Sequence, residues 1–143
     1  MKNLHRKSLA LFLATLTAFA PLGALAENVS VSPTRLNVAG QASTLTVKAG
    51  GAQASVVQLR VVSWKEGTDP RNVKATRDVV ISPPMAQLDP RQELTVRVVR
   101  TKKSAVRGRE CYRVLVDRLP GAEQAEQAVK LQVRHSVPLC FQA

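Results

Sequence analysis

The chain has 143 residues, and its 21 Lys and Arg outweigh 10 Asp and Glu to give a formal net charge of +11. With aromatic residues at 3%, including one Trp and one Tyr, it lacks the rings on which single-stranded bases stack, so the charge does not indicate nucleic acid. A basic surface of this kind suits solubility, or faster encounter with acidic partners.

At the amino terminus, Lys2, Arg6 and Lys7 precede an apolar run from Leu9 to Ala20, and Ala24-Leu25-Ala26 supplies a small-x-small site. That order is a secretory signal peptide, residues 1–26, cleaved after Ala26. A retained anchor is the alternative, but the run is too short to cross a bilayer. The expected mature protein is residues 27–143; losing three basic and no acidic residues lowers its charge to +8. An exported chain of this size makes one domain burying roughly two thirds of its unfolded surface. It contains no further candidate membrane span.

Alternating or β-branched runs follow: Val29 to Val38, Ser43 to Lys48, Ser55 to Trp64, Asp78 to Ser82, Leu94 to Arg100, Cys111 to Arg118 and Val129 to Phe141. Gly40, Gly50-Gly51, Gly67 to Pro70, Pro83-Pro84, Asp89-Pro90 and Pro120-Gly121 separate them with turn chemistry. Glu66 to Arg77 and Thr101 to Arg109 read as polar loops. Seven short strands without a helical period predict an all-β fold, a seven-stranded immunoglobulin-like antiparallel sandwich.

In the last run, Val129, Leu131, Val133, Val137, Leu139 and Phe141 share one side of an extended strand, with Lys130, Gln132, Arg134, Ser136, Pro138 and Cys140 between them. An apolar edge of that length must be covered, by the protein's own core or by another chain.

Two cysteines in an exported chain are most simply a disulfide. If the last two strands form a hairpin around Leu119 to Ala128, a register in which paired numbers sum to 251 sets Cys111 opposite Cys140. It also sets Asp117 opposite Arg134, and Tyr112, Val114 and Val116 beside Leu139, Val137 and His135. Two free thiols or a redox pair is the alternative, which the lack of a Cys-x-x-Cys spacing disfavours.

Enzymatic chemistry finds little support. His135, the single histidine after residue 26, lies within a strand without the Cys, His or carboxylate neighbours of a metal or catalytic site. Gly50-Gly51 reads as a turn, not a phosphate loop. No catalytic residue, metal ligand or cofactor is expected.

Several segments in order carry a resemblance. They are Ser32-Pro33-Thr34-Arg35-Leu36, Gln58 to Trp64, Ile81-Ser82-Pro83-Pro84 before Leu88-Asp89-Pro90, Val96-Arg97, Glu110-Cys111-Tyr112-Arg113 leading to Leu119-Pro120, and Ser136-Val137-Pro138-Leu139. Together they resemble the amino-terminal domain of periplasmic pilus-assembly chaperones of the PapD type, over nearly all of residues 27–143. The resemblance implies a periplasmic chaperone whose partners are pilin or fimbrial subunits, with an outer-membrane usher as a further partner. It implies donor-strand complementation, in which the last strand completes a subunit that lacks one. Val129, Leu131 and Val133 fall where the family inserts its alternating apolar side chains; the other reading is that they fill the sandwich core.

The family grips the subunit's terminal carboxylate with an arginine and a lysine. Arg35 stands at the arginine position, but Pro138 occupies that of the lysine. Because the register sets Arg113 opposite Pro138, Arg113 is the expected substitute; the other reading makes it a solvated strand residue. A disulfide between the last two strands occurs in a family subset with long donor segments. Family members carry a second immunoglobulin-like domain, whereas this sequence is expected to form the amino-terminal domain only. The competing expectations are an exported structural or adhesive domain that keeps its last strand, and a truncated chaperone remnant that no longer functions.

Overall fold

The computed structural model describes residues 28–120 and 132–143. The expected signal peptide, and Val129 and Leu131 of the last run, lie outside these described residues. Ten strands are present among them, β1 Val29–Ser32, β2 Leu36–Val38, β3 Ala42–Ala49, β4 Ser55–Trp64, β5 Val73–Ala75, β6 Val79–Ser82, β7 Met85–Leu88, β8 Glu93–Arg100, β9 Arg109–Leu119 and β10 Arg134–Gln142. They form a four-stranded sheet, β1-β3-β8-β6, and a six-stranded sheet, β2-β10-β9-β4-β5 with β7 also on β4. Among the described residues no helix is long and apolar enough to cross a membrane.

Each of the seven predicted runs contains a strand, and the larger number has two physical sources. First, the run from Val29 to Val38 breaks at Pro33, which has no N–H to continue a ladder. β1 pairs with β3 in one sheet, and β2 pairs parallel to β10 in the other. A second Ser-Pro step, Ser82-Pro83, separates β6 in the four-stranded sheet from β7, which pairs with β4 in the six-stranded one. Second, the expected polar loop 66–77 contains β5. A turn in which Thr68 Oγ1 donates to the Lys65 carbonyl at 2.6 Å and Asp69 Oδ1 accepts from the Arg71 amide at 2.8 Å returns Val73–Ala75 to the end of β4.

The core lies between the sheets and follows strand alternation. Leu45 and Val47 of β3, Val57 and Leu59 of β4, Val96 and Val98 of β8, Val114 and Val116 of β9, and Leu139 and Phe141 of β10 are buried. Tyr112 and Phe141 meet edge to face with centroids 5.9 Å apart, a geometry that aligns ring edge with ring face electrostatically. At the turn before β4, a Cβ on Gly50 would lie 2.8 Å from the Asn28 carbonyl oxygen, and Gly51 has φ 83°. The Gly-Gly pair therefore serves both a close approach and a left-handed backbone.

The predicted β9–β10 register holds in full: Cys111 pairs with Cys140, Asp117 with Arg134, Arg113 with Pro138 and Val114 with Val137. Cys111 and Cys140 are disulfide-bonded, with Cα atoms 4.1 Å apart. One buried ion pair closes the adjoining loop. Arg100 is 3% exposed; its Nε and NH2 donate to Glu110 at 3.0 and 3.1 Å, and its NH1 donates to the Lys102 and Ser104 carbonyls at 2.6 and 2.7 Å.

Candidate functional site

Two features occupy β10 and its neighbours. The first is the point where the strand leaves the core. Val137, Leu139 and Phe141 are buried, but Val133, on the same side by alternation, is 53% exposed. The Arg118 amide donates to the Val133 carbonyl at 3.4 Å, so backbone pairing continues past the place where core contact stops. Among the described residues the protein's own core therefore covers Val137, Leu139 and Phe141 of the apolar edge but not Val133. The positions of Val129 and Leu131 fall outside them.

His135, expected on the apolar face, is half-buried, and its Nε2 has no hydrogen-bond partner. With Val133, Val29, Val31 and Arg118 it lines a groove of about 450 Å³ between β1 and the start of β10. No metal-ligand cluster includes it among the described residues. The one grouping of that kind among the described residues, Glu66 with Cys111 and Cys140, contains two sulfurs already joined to each other. They offer no thiolate to a metal.

The second feature is a row of residues across three strands. Leu36 of β2 pairs with Leu139 of β10, and Pro138 of β10 pairs with Arg113 of β9. Leu36, Leu139 and Tyr112 point into the core, so by alternation Arg35, Pro138 and Arg113 lie on the outer face. Arg35 and Arg113 thus flank Pro138, with backbones about 10 Å apart, two interstrand spacings. The structure brings together the two arginines singled out in the sequence, on either side of Pro138.

The two guanidinium groups have different surroundings. Arg35 is exposed, whereas Arg113 is 8% exposed, so the solvated-residue reading does not describe Arg113. The Arg113 guanidinium carbon lies 4.1 Å from the centroid of the Trp64 ring, and NH1 donates to Ser136 Oγ at 3.0 Å. Burial, and then the charge of Arg35, lower the Arg113 pKa from its ordinary value. Among the described residues neither arginine has a carboxylate partner within ion-pair distance. Arg113 Nε and Trp64 Nε1 are buried without hydrogen-bond partners. Two neighbouring like charges with spare donors form a place where an anion would be stabilised by paired, charge-assisted hydrogen bonds.

Trp64 and Ser136 were not singled out as site residues from the sequence. Ser136 comes to Arg113 through the β9–β10 register, whereas the place of Trp64 depends on the β4–β9 pairing, in which Val62 faces Arg113, a partnership of strands distant in sequence. The available signal was the parity of Trp64 with Val62 along β4.

Solved structures share this architecture. A chain of the CsuC–CsuE chaperone–tip adhesion subunit pre-assembly complex of Acinetobacter baumannii is 22% identical with a TM-score of 0.67, covering 80% of this chain and 56% of its own. The E. coli chaperone DraB is 25% identical with a TM-score of 0.64, at 80% and 54% coverage. A chain of the Salmonella enterica SafA pilin–SafB chaperone complex is 21% identical with a TM-score of 0.65, at 81% and 54% coverage. The chain thus spans little more than half the length of these relatives. No curated protein matches it. The family model for pili and flagellar-assembly chaperones, PapD N-terminal domain, matches residues 28–142. The chain belongs to the pilus-assembly chaperone family and has the fold of its PapD amino-terminal domain.

Proposed function

We propose that this protein is a periplasmic chaperone for pilus or fimbrial subunits and lends a subunit its last strand. The observation that carries the reading is Val133: it lies in line with the buried Val137, Leu139 and Phe141, yet is 53% exposed. Continuing the strand towards Leu131 and Val129 would present alternating apolar side chains to a subunit groove, while backbone N–H and C=O groups add the subunit as a further strand. Full burial of each side chain would contribute about 1.5–3 kcal/mol, less the cost of ordering and association.

Arg35 and Arg113 are the carboxylate anchor in this reading, with Arg113 replacing the family lysine from the neighbouring strand. A guanidinium suits that replacement because its planar fork matches a carboxylate. Export relies on residues 1–26, and an outer-membrane usher is the further partner that receives the loaded subunit. The chaperone–tip adhesin and chaperone–pilin complexes among the structural relatives support this choice of partner class.

Co-expression of the chain with a pilin subunit from the same genome, followed by size exclusion of the periplasmic extract, tests the reading. A one-to-one complex that is lost on Leu131→Asp is expected. A folded chain eluting alone beside an aggregated subunit would contradict it.

A further inference from the structure

We infer that Trp64 is a positioning residue of the anchor, its indole holding the Arg113 guanidinium on the outer face of the six-stranded sheet so that Arg113 and Arg35 close on one carboxylate across Pro138. This rests on the chaperone reading above and adds to it the residue that makes an arginine on β9 usable in place of a lysine on β10.

The chemistry follows from the shape of the two cations. A lysine at position 138 would reach the site as a compact point charge on a flexible stem. An arginine one strand away must be aimed, and an unsupported arginine would lose much of its rotamer freedom on binding. The Arg113 guanidinium carbon lies over the Trp64 ring, 4.1 Å from its centroid. Stacking engages the face of the guanidinium and leaves the N–H groups of its edge free to donate. One edge donor is fixed by Ser136 Oγ at 3.0 Å, which holds the rotation about the stack. Pro138 between the arginines has no side-chain donor or charge to compete for the same anion. No carboxylate among the described residues occupies the stacked cation, so the arrangement is directed at an anion from another molecule. The matching ligand is a terminal carboxylate at the end of an extended, alternating segment.

Trp64 is the single tryptophan of the chain, so its emission reads the site directly. The test uses the full chain and a synthetic peptide of alternating Val and Thr, made with either a free carboxylate or a carboxamide end. The carboxylate peptide should change Trp64 emission and bind about tenfold more tightly than the amide, as expected for gain of a charge-assisted pair. Trp64→Ala should reduce that preference as far as Arg113→Ala does, while Trp64→Phe, which keeps a ring face, retains most of it. An emission unchanged by the carboxylate peptide overturns the inference. So does Trp64→Ala keeping a preference that Arg113→Ala loses, or Trp64→Phe losing it as fully as Trp64→Ala. If Trp64→Ala does not fold, the emission of the unaltered chain and the Trp64→Phe affinities decide. Should Arg35→Ala and Arg113→Ala both keep the preference, the carboxylate-anchor reading itself fails, a result distinct from failure of Trp64 alone.

Discussion

The outer face of the six-stranded sheet carries two pairs of arginines, and among the described residues only the pair at Asp117 has a counter-ion. Towards the start of β10, Asp117 is 2% exposed and accepts from Arg60 at 2.8 Å and from Arg134, whose NH2 lies 3.3 Å away. About four residues, or roughly 13 Å, along β9, Arg113 and Arg35 flank Pro138 with no carboxylate partner among the described residues. The first cluster is complete within the chain and fixes the β9–β10 register where the strand leaves the core. The second has the same cations without the anion, and its buried member is held by an aromatic ring. A carboxylate between two guanidinium groups is a structural device at one place and, in the chaperone reading, the binding event at the other.

Cross-linking sets the background of both clusters, so removing it gives the largest effect. Cys111→Ser with Cys140→Ser opens a linkage spanning 29 residues and should cost about 3–4 kcal/mol in the chain-entropy model, read as a lower urea midpoint. Because the bridge lies two register positions from the Arg113–Pro138 pair, carboxylate preference should fall as well, while pairing at Asp117 persists in hydrogen exchange.

Asp117→Ala breaks the complete cluster. It leaves two partly exposed arginines unpartnered beside a buried space and should destabilise by about 1–3 kcal/mol, with an unchanged denaturant slope. The pH dependence follows from the same group. Burial pushes the Asp117 carboxyl up, but hydrogen bonds from Arg134 and Arg60 outweigh it and hold the pKa below the usual carboxylate value. Its contribution is therefore present above the unfolded-state pKa of about 3.9 and is lost as pH falls through the lower folded-state value. Glu110, held down chiefly by Arg100, loses its contribution in the same direction. Asp117→Asn should flatten part of that acid limb in a series of urea melts.

Arg113→Met sharpens the contrast in the opposite sense. Replacing an unpaired buried cation by an apolar side chain of similar reach should leave stability within about 1 kcal/mol, or raise it, while subunit binding falls. A loss of stability as large as that of Asp117→Ala would place Arg113 among the structural residues. The smallest effect on stability is expected for Val133→Asp, within about 0.5 kcal/mol because the side chain is already exposed. Its cost should appear in affinity for the subunit.

The sequence is most readable where covalent and electrostatic constraints coincide. Cys111 with Cys140 and Asp117 with Arg134 are satisfied by one hairpin register, and the structure adopts it. The sandwich class followed from alternation for the same reason, since each core residue sits on a two-residue period. β5 and β7 were not legible because they are short edge segments whose place is set by β4 and not by alternation of their own. The break at Pro33 was visible as a proline, but the change of sheet depends on β10 being available for parallel pairing with β2. Arg60 as the third member of the Asp117 cluster, and Trp64 over Arg113, both require the β4–β9 register, which no short hairpin or cysteine pair specifies.

The central claim is that the segment running into β10 completes another protein's sheet. Amide hydrogen exchange of residues 129–133, measured on the chain alone and then with a pilin subunit, tests it most directly. Strong new protection of these amides is expected on subunit binding, abolished by Leu131→Asp. Exchange that is already slow in the isolated chain and unchanged by the subunit would contradict the claim, because the strand would then belong to the protein's own fold.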